Sequence, residues 1–390
     1  MLGREVVVVG AVRTAIGRGH PEKGAYRSLH PADLLASCFT AVLGRSGVDP
    51  EKVEDVVAGC VNQFGEQGLN IGRGAWLQAG LPLEAPAATL DLQCGSSQQA
   101  VGFAAAQIAA GLRDCVVAGG VEHMGHIPLG AVPEVEERWG HAFTPALLER
   151  YRIVGQGLGA EMIAAERGLD RESLDALAAQ SHRRAAAATD AGAFEREIVA
   201  VRTPEGETVE RDQGIRPDTT VERLADLKPV FKEDGVVTAG NASQISDGAA
   251  AVLLMSRGAA EAAGVAPRAA IVDHLTVGCD PVKMLEGPMP ATEAVLGRND
   301  LALPDLDFVE INEAFAPVVA AWEQELGADM DKVNVRGGAM ALGHPLGGSG
   351  ARLLTTLLHT LEDEDGDFGL VTMCAGGGIG TATLVRRLQG

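Results

Sequence analysis

Four residues have the side chains that acyl transfer to and from a thiol requires: Cys94, Asn312, His344 and Cys374. Cys94 stands where a short apolar run ends and an alanine-rich helix, apolar nearly all round, begins. Backbone N–H groups and the positive end of the helix dipole favour a thiolate there, so we expect a lowered pKa for this thiol. The ordinary alternative is a core cysteine, because free cysteine is among the most buried residue types.

His344 and Cys374 could transfer the protons that such a nucleophile needs. His344 lies in a Gly-His-Pro turn and is a candidate base for the thiol proton. Cys374 stands two residues before three glycines, which let a ligand approach the backbone closely, and it could transfer a second proton. Each residue alone is more often structural, and Asn312 at a strand end is more often a turn or cap residue. The combination of all four residues favours a catalytic role over a structural one.

Alternating strands and helices must position these residues. The sequence predicts strands at 5–9, 53–60, 89–92 and 114–118, and helices at 31–43, 70–80 and 98–110. Such alternation is typical of a parallel sheet with helices on its faces. The turn AVRTAIGRG follows the first strand but lacks the G-x-G-x-x-G spacing, so it does not predict a dinucleotide cofactor.

The second half of the chain repeats the order of the first. AAIVDHLTVG corresponds to EVVVVGAVRT, and LDFVEINEAFA corresponds to VEDVVAGCVNQF. VNVRGGAMALGHPLGGSGARLLTTLLHTL, then FGLVTMCAGGG, corresponds to TLDLQCGSSQQAVGFAAAQIAAGL, then DCVVAGGVEHM. The repeat predicts two similar halves related by a pseudo-twofold axis, whose turns bring the four residues to one cleft.

A more charged, loop-rich segment interrupts the first half. It runs from about 121 to 241 and contains one clear amphipathic helix at 169–188. We therefore expect three units: residues 1–120 with 242–270, the insertion 121–241, and residues 271–390. His123 and His126 lie three apart in the insertion without a third ligand, so we expect loop histidines near a cleft and no metal site.

Charge and cysteine usage exclude several classes of protein. The formal net charge is −21, and no run of residues offers the basic face that nucleic acid or an anionic membrane surface requires. No apolar run reaches the ~18 residues of a membrane span. The six cysteines are scattered without C-x-x-C spacing, and the N-terminus lacks the layout of a signal peptide. We expect a cytoplasmic protein.

The chain resembles the thiolase family over essentially its whole length. The resemblance rests on VRTAIG, TAGNASQISDGAA, VEINEAFA, ALGHPLGGSGARL and TMCAGGGIGTA. It implies an α/β protein with the five-layered αβαβα thiolase fold, built from two repeated βαβαβαββ halves with a loop domain inserted in the first. It further implies 3-ketoacyl-CoA, acetyl-CoA and CoA as substrates, no additional cofactor, and a homodimer or homotetramer.

The resemblance also implies a role for each catalytic residue. Cys94 resembles the acylated nucleophile, His344 its base, and Cys374 the acid and base that acts on the α-carbon of the acetyl unit. Asn312 resembles the residue that holds a water for one oxyanion hole, shared with His344. The backbone N–H groups of Cys94 and Gly376 resemble the second oxyanion hole.

The resemblance also bears on how the substrate binds. Two residues resemble contacts to coenzyme A, and two departures from the family pattern bear on the acyl chain. Arg216 and Ser243 resemble contacts to the nucleotide and pantetheine, and an arginine suits phosphates on an acidic protein. Ser97 replaces a glycine that often follows the nucleophile, a form associated with degradative members, some acting on steroid-derived chains. VGQGLGAE at 154–161 replaces the usual MGxTAE, so the wall that sets acyl length differs from the biosynthetic type.

Three alternatives remain open from the sequence. A ketoacyl synthase shares the fold, but it gains its carbanion by decarboxylation, whereas a second cysteine suits removal of an α-proton. A biosynthetic acetoacetyl-CoA thiolase would run the same chemistry in the condensing direction. A non-catalytic partner subunit would not need all four catalytic positions to be filled.

Overall fold

The computed structural model of the protein describes residues 3–388. Its strands are β1 (Val6–Thr14), β2 (Gly17–Arg18), β3 (Asp55–Gly59), β4 (Ala87–Leu90), β5 (Cys115–His123), β6 (Ile198–Val199), β7 (Val201–Arg202), β8 (Thr208–Val209), β9 (Ser246–Ser256), β10 (Ala269–Gly278), β11 (Phe308–Ile311), β12 (Phe368–Ala375) and β13 (Ile379–Arg387). Its α-helices are α1 (Pro31–Ser46), α2 (Ile71–Gln78), α3 (Ser96–Ala109), α4 (Val132–Trp139), α5 (Pro145–Arg150), α6 (Gln156–Arg167), α7 (Arg171–Asp190), α8 (Val221–Ala225), α9 (Arg257–Ala262), α10 (Pro288–Arg298), α11 (Ala316–Leu326), α12 (Ala339–Leu342) and α13 (Ser349–Asp363).

The elements predicted between residues 5 and 118 are all present, with bounds that differ by up to five residues. Local signals explain the ends of α1. Pro31 occupies the first helical position, where its missing N–H costs nothing, and Gly47 ends the helix with a φ of 71° in the left-handed region.

The two halves of the chain form sheets of matching topology. The first-half strands lie in the order β1-β9-β5-β3-β4 and the second-half strands in the order β10-β13-β12-β11. β3 pairs in parallel with β4 and β5, as β11 does with β12. β9 pairs antiparallel with β1 and β5, as β13 does with β10 and β12. The predicted repeat is confirmed, and β1 and β10 join the two sheets at their edges.

Helices cover both sheets and fill the space between them. Alternate residues of β1 face opposite sides, so Val6 and Val8 pack with α3 and α13, whereas Val7 and Val9 pack with α1 and α2. α10 and α11 pack on the outer face of the second sheet. The layers therefore run α, β, α, β, α, as expected, with α3 and α13 at the centre.

One predicted strand is missing from the second half. The segment VNVRGG corresponds to β4, yet only Val333 pairs there, through a single parallel bridge to Val309. The side chain of Asn334 makes the hydrogen bonds that the next backbone pair of a strand would make. Its amide donates to Ile311 O and accepts from Ile311 N, both at 2.9 Å. Its φ of 47° lies in the left-handed region, which turns the chain away from the sheet.

The inserted segment contains more helix than the sequence predicts. It lies between β5 and β9 and holds α4 to α8, and the predicted helix at 169–188 is α7. Asp170 caps α7 by accepting from Ser173 N at 2.8 Å. β5 runs to His123 and β9 starts at Ser246, whereas the domain limits given above stay predictions. In the described part of the chain, no helix combines the length and the apolar character needed to cross a membrane.

We expect Gly120→Ala to destabilise the protein by about 2–3 kcal/mol, because overpacking at this junction of both halves strains the backbone. A Cβ at Gly120 would lie 2.8 Å from both Gly59 O and Ser97 Cβ, and closer still to Gly347 O. Urea unfolding followed by circular dichroism measures the change.

Gly44→Ala is the matched control for this substitution. Gly44 is an exposed residue of α1 whose Cβ would meet nothing within 4 Å, so alanine should stabilise by about 0.5–1 kcal/mol. Equal unfolding midpoints for the two variants would contradict this account of the junction.

Candidate active site

Cys94 lies in the tight turn between β4 and α3. Ser96 holds this turn, since its Oγ accepts from Leu92 N at 2.9 Å and donates to Gln93 O at 2.6 Å. Gln93 adopts a φ of 51°, which is uncommon for a residue with a side chain and turns Cys94 inward. The thiol is buried and lies just before the N-terminus of α3, as predicted.

The expected lowering of the Cys94 pKa is wrong for the free protein. Burial raises the pKa of the Cys94 thiol to about 11, because removal from water disfavours the thiolate more than the nearby donors favour it. Those donors are the Gln156 side chain, whose Nε2 lies 3.9 Å from Sγ, and the backbone N–H of Gly376. Cys94 therefore rests as a thiol and needs a base during the reaction.

His344 is a neutral imidazole with a fixed tautomer. Ser349 Oγ donates to Pro345 O at 2.8 Å, so it accepts from His344 Nδ1, 2.6 Å away. The proton thus sits on Nδ1, and Nε2 keeps a lone pair that accepts from Asn312 Nδ2 at 3.3 Å. Burial, and next the charge of Arg352, lower the pKa of His344 to about 3. The geometry suits a base that acts through Nε2.

Asn312 follows β11 and its side chain contacts His344, as the sequence predicts. Its backbone N–H donates to Thr372 O at 3.1 Å, which fixes it beside β12. Its Oδ1 is buried, and among residues 3–388 it has no hydrogen-bond partner. An unpaired buried acceptor is costly, so this oxygen is available to a water or a substrate donor.

Cys374 lies on β12, two residues before Gly376. Burial raises the pKa of its thiol well above the usual range, and the charge of Cys94 raises it further, so the two sulfurs interact. The backbone N–H of Gly376 favours the thiolate form of Cys94, which places Gly376 close to the Cys94 sulfur. Cys374 keeps its proton until a strong base, such as a carbanion, forms beside it.

Hydrogen bonds hold the Cys94 turn against the His344 turn. Ala351 N, in the first turn of α13, donates to Ser97 Oγ at 2.9 Å. Glu122 accepts from Gly347 N at 2.9 Å and also from Val61 N and Asn62 N. Ser97, a departure from the family pattern, thus adds a bond between the two halves.

Arg216 and Ser243 lie on one route that leads to His344. Arg216 is exposed, and its guanidinium approaches Gln244 Oε1 at 3.5 Å, next to the half-buried Ser243. Gln244 O accepts from Ser246 Oγ at 2.7 Å, and Ser246 Oγ accepts from His344 N at 3.1 Å. These contacts connect the exposed Arg216 with the buried His344.

Arg13, in the motif VRTAIG, anchors the loop that carries Arg216. Its guanidinium donates to both oxygens of Asp212, at 2.7 and 2.9 Å, and Ile16 N also donates to this carboxylate. Arg13 is fully buried, so this bidentate pair fixes the loop to β1.

His123 and His126 are not simple loop histidines. His123 is the buried last residue of β5, and its Nε2 lies 3.0 Å from Tyr26 O. His126 stacks on it with ring centroids 3.9 Å apart, and its Nδ1 lies 2.8 Å from Glu66 Oε2. Across residues 3–388, no group of three or more His, Cys, Asp or Glu side chains is placed to hold a metal ion.

Ser349 and Gln156 also contact the site, although the sequence did not predict either of them as a site residue. Ser349 stands five residues after His344, and the start of α13 there is the signal that its hydroxyl faces back toward the turn. Gln156 belongs to the departure VGQGLGAE, which we interpreted only as part of the acyl pocket wall. Its approach to Cys94 depends on how α6 packs, and the local sequence does not encode that packing.

The chain is similar to known proteins over nearly its whole length. The family described as "Thiolase, N-terminal domain" matches residues 6–258, and "Thiolase, C-terminal domain" matches residues 265–387. The steroid 3-ketoacyl-CoA thiolase of Mycobacterium tuberculosis is 47% identical, over 98% of this chain and 94% of that protein. The 3-ketoacyl-CoA thiolase of Saccharophagus degradans is 44% identical, over 99% of each.

Solved structures agree in fold. The crystal structure of human mitochondrial 3-ketoacyl-CoA thiolase superposes with a TM-score of 0.91 at 37% identity, covering 100% of both chains. The crystal structure of Bacillus anthracis acetyl-CoA acetyltransferase gives a TM-score of 0.90 at 36% identity, covering 99% of this chain and 100% of that one.

We expect Ser349→Ala to lower kcat for acyl transfer about 10- to 100-fold, the usual effect of losing a supporting hydrogen bond to a reactive histidine. Without this acceptor the proton is free to move to Nε2, where the imidazole cannot accept the thiol proton. KM should stay unchanged, because Ser349 positions His344 and does not face the substrate.

Thr360→Ala is the control on the same helix. Its buried hydroxyl donates only to Thr356 O, one turn back, so its loss should affect stability without lowering kcat. If Ser349→Ala has a normal kcat, the Ser349 hydroxyl stabilises only the packing of the helix and does not support His344 in the reaction.

Proposed function

The chain belongs to the thiolase family, and on that premise we propose that it cleaves 3-ketoacyl-CoA with CoA through a cysteine acyl-enzyme, in the degradative direction. The observations that carry the proposal are a neutral His344 whose tautomer is fixed by Ser349 and whose Nε2 meets Asn312, and two buried thiols, Cys94 and Cys374, that influence each other's ionisation. The degradative direction is supported by the relatives named 3-ketoacyl-CoA thiolase, one of them acting on steroids.

The first half-reaction breaks the carbon–carbon bond. Cys94 gives its proton to Nε2 of His344, and its sulfur attacks the 3-keto carbon. The bond between C2 and C3 then breaks, the shortened acyl group stays on Cys94 as a thioester, and Cys374 donates its thiol proton to C2 of the departing acetyl-CoA. The raised pKa of Cys374 supports this role, because a thiol that keeps its proton can act as an acid.

The second half-reaction releases the acyl group. The Cys374 thiolate takes the proton of the CoA thiol, and the CoA sulfur attacks the acyl carbon on Cys94. The Cys94 thiolate leaves and recovers its proton from His344. The low pKa of His344 makes its protonated form a strong acid that returns the proton readily.

Two sets of donors would stabilise the negative oxygens formed on the way. One is His344 with a water held by Asn312, whose buried Oδ1 needs a donor. The other is the pair of backbone N–H groups of Cys94 and Gly376, both of which favour the Cys94 thiolate in the free protein. Donors fixed in a buried site stabilise developing charge without further reorganisation.

Coenzyme A would bind along the route from Arg216 past Ser243. Arg216 supplies a charge for phosphate, and Ser243 lies between it and the buried site. No further cofactor enters this chemistry. We also propose a homodimer or homotetramer in the cytoplasm, where the six cysteines, all free thiols, would stay reduced.

Cys374→Ala tests the division of labour between the two cysteines. With acetyl-CoA, mass spectrometry should still find one acetyl group on the peptide that contains Cys94, because the CoA thiolate is a good leaving group and can depart without a proton from Cys374. Cleavage of 3-ketoacyl-CoA should fall by about 10³-fold or more, since general acid and base catalysis at carbon is lost.

Cys279→Ala is the control, a half-buried cysteine whose thiol contacts Met284 O and which should cleave normally. Acetyl found only on another cysteine, or normal cleavage by Cys374→Ala, would contradict the proposal. The same assay with short, long and steroid-type 3-ketoacyl-CoA separates the degradative enzyme from an acetoacetyl-CoA thiolase.

We expect Arg216→Ala to raise KM for CoA substrates about tenfold with little change in kcat. Remote contacts to the nucleotide act alike on the ground and transition states. A pantetheine thioester that lacks the nucleotide should react equally with both enzymes.

Arg223→Ala is the matched control for this exposed arginine. Arg223 pairs with Asp218 in the same segment, so its loss should leave KM near the wild-type value. A rise in KM of equal size for the CoA and pantetheine substrates would show that Arg216 does not contact the nucleotide.

A further inference from the structure

Gln156 places an amide beside the reacting sulfur. It is the first residue of α6, half-buried, and its Nε2 lies 3.9 Å from Cys94 Sγ. Within residues 3–388, this sulfur is the one hydrogen-bond partner of the side-chain amide. A Cβ at Gly376 would lie 3.1 Å from Nε2, so a glycine there leaves room for the amide.

The fold holds α6 firmly in this place. Glu161, one and a half turns into the helix, accepts from Val236 N at 3.0 Å and Val237 N at 2.9 Å. Ala160 and Ile163 are buried in the cluster that includes α11. A donor on a rigid element keeps its direction during the reaction, which is the condition for electrostatic stabilisation without reorganisation.

We propose that Gln156 is a further catalytic residue of the reaction proposed above, donating an N–H to the Cys94 sulfur and stabilising its thiolate in both half-reactions. A hydrogen bond to a charged acceptor is about twice as strong as one between neutral groups, so this bond favours the thiolate over the thiol. The proton of Cys94 still goes to His344, and Gln156 keeps both of its own.

The charges around the sulfur show why such a donor matters. Burial disfavours a thiolate at Cys94 most, and the charge of Glu122 disfavours it further. Among the groups that lower the pKa of Cys94, the Gln156 side chain comes first, ahead of the Gly376 N–H. The alternative is that Gln156 only lines the acyl pocket, which predicts an effect on substrate choice and none on the free thiol.

Alkylation of the substrate-free enzyme by iodoacetamide separates the two roles. The rate is followed by mass spectrometry on the peptide that contains Cys94. Gln156→Met keeps the length of the side chain and removes the donor, so we expect alkylation at pH 8 to slow roughly tenfold, the effect of one charge-assisted hydrogen bond. Gln156→Glu places a negative charge at the sulfur and should be slower still.

Met162→Leu is the control for changes to the helix itself. Met162 is an exposed residue of α6 that lies outside VGQGLGAE, and its variant should alkylate at the wild-type rate with the same melting temperature. A Gln156→Met rate within twofold of wild type overturns the proposal, even if KM then varies with acyl length. Acetylation of wild-type Cys94 by acetyl-CoA is measured in a separate experiment. Its failure would contradict the proposed function, whereas the alkylation rates test only the role of Gln156.

Discussion

Burial of the reacting groups is the constraint on which the rest of the site depends. It raises the pKa of both thiols and lowers that of His344, so Cys94, Cys374 and His344 are all neutral in the free protein. The proposed chemistry must then create a thiolate and an imidazolium for a short time. In a dry site, only donors already in position can stabilise those charges, because water cannot reorganise around them. The surrounding structure is arranged to supply them.

The repeat places these donors by bringing two helix N-termini together at the centre of the molecule. Cys94 and His344 each lie in the turn before a central helix, α3 or α13, and each turn is stabilised by a serine that bonds within it. The bond from Ala351 N to Ser97 Oγ joins the two helices across the repeat. A movement of one turn would therefore be transmitted to the other.

Much of this arrangement could be predicted from the sequence, and the exceptions have physical causes. Hydrophobic periodicity and the internal repeat predict the sheets, the central helices and a common cleft for Asn312 and His344. The strand after Val333 is absent because the Asn334 side chain makes the bonds that a backbone would make. We expected a lowered pKa for Cys94 only because this residue stands at a helix N-terminus, where the dipole favours a thiolate. Desolvation outweighs that dipole, and its size depends on packing from segments distant in sequence.

The inserted segment is the part of the molecule that breaks the symmetry of the two halves. The repeat alone gives two equivalent turns, and it does not decide which of them carries the more reactive group. α6 belongs to the insertion and brings Gln156 to Cys94. The resemblance to the family assigns the same stretch, VGQGLGAE, to the wall of the acyl pocket. If both proposals hold, a change in this segment that alters the fit of the acyl group also moves a donor at the sulfur, and substrate choice is then coupled to the reactivity of Cys94.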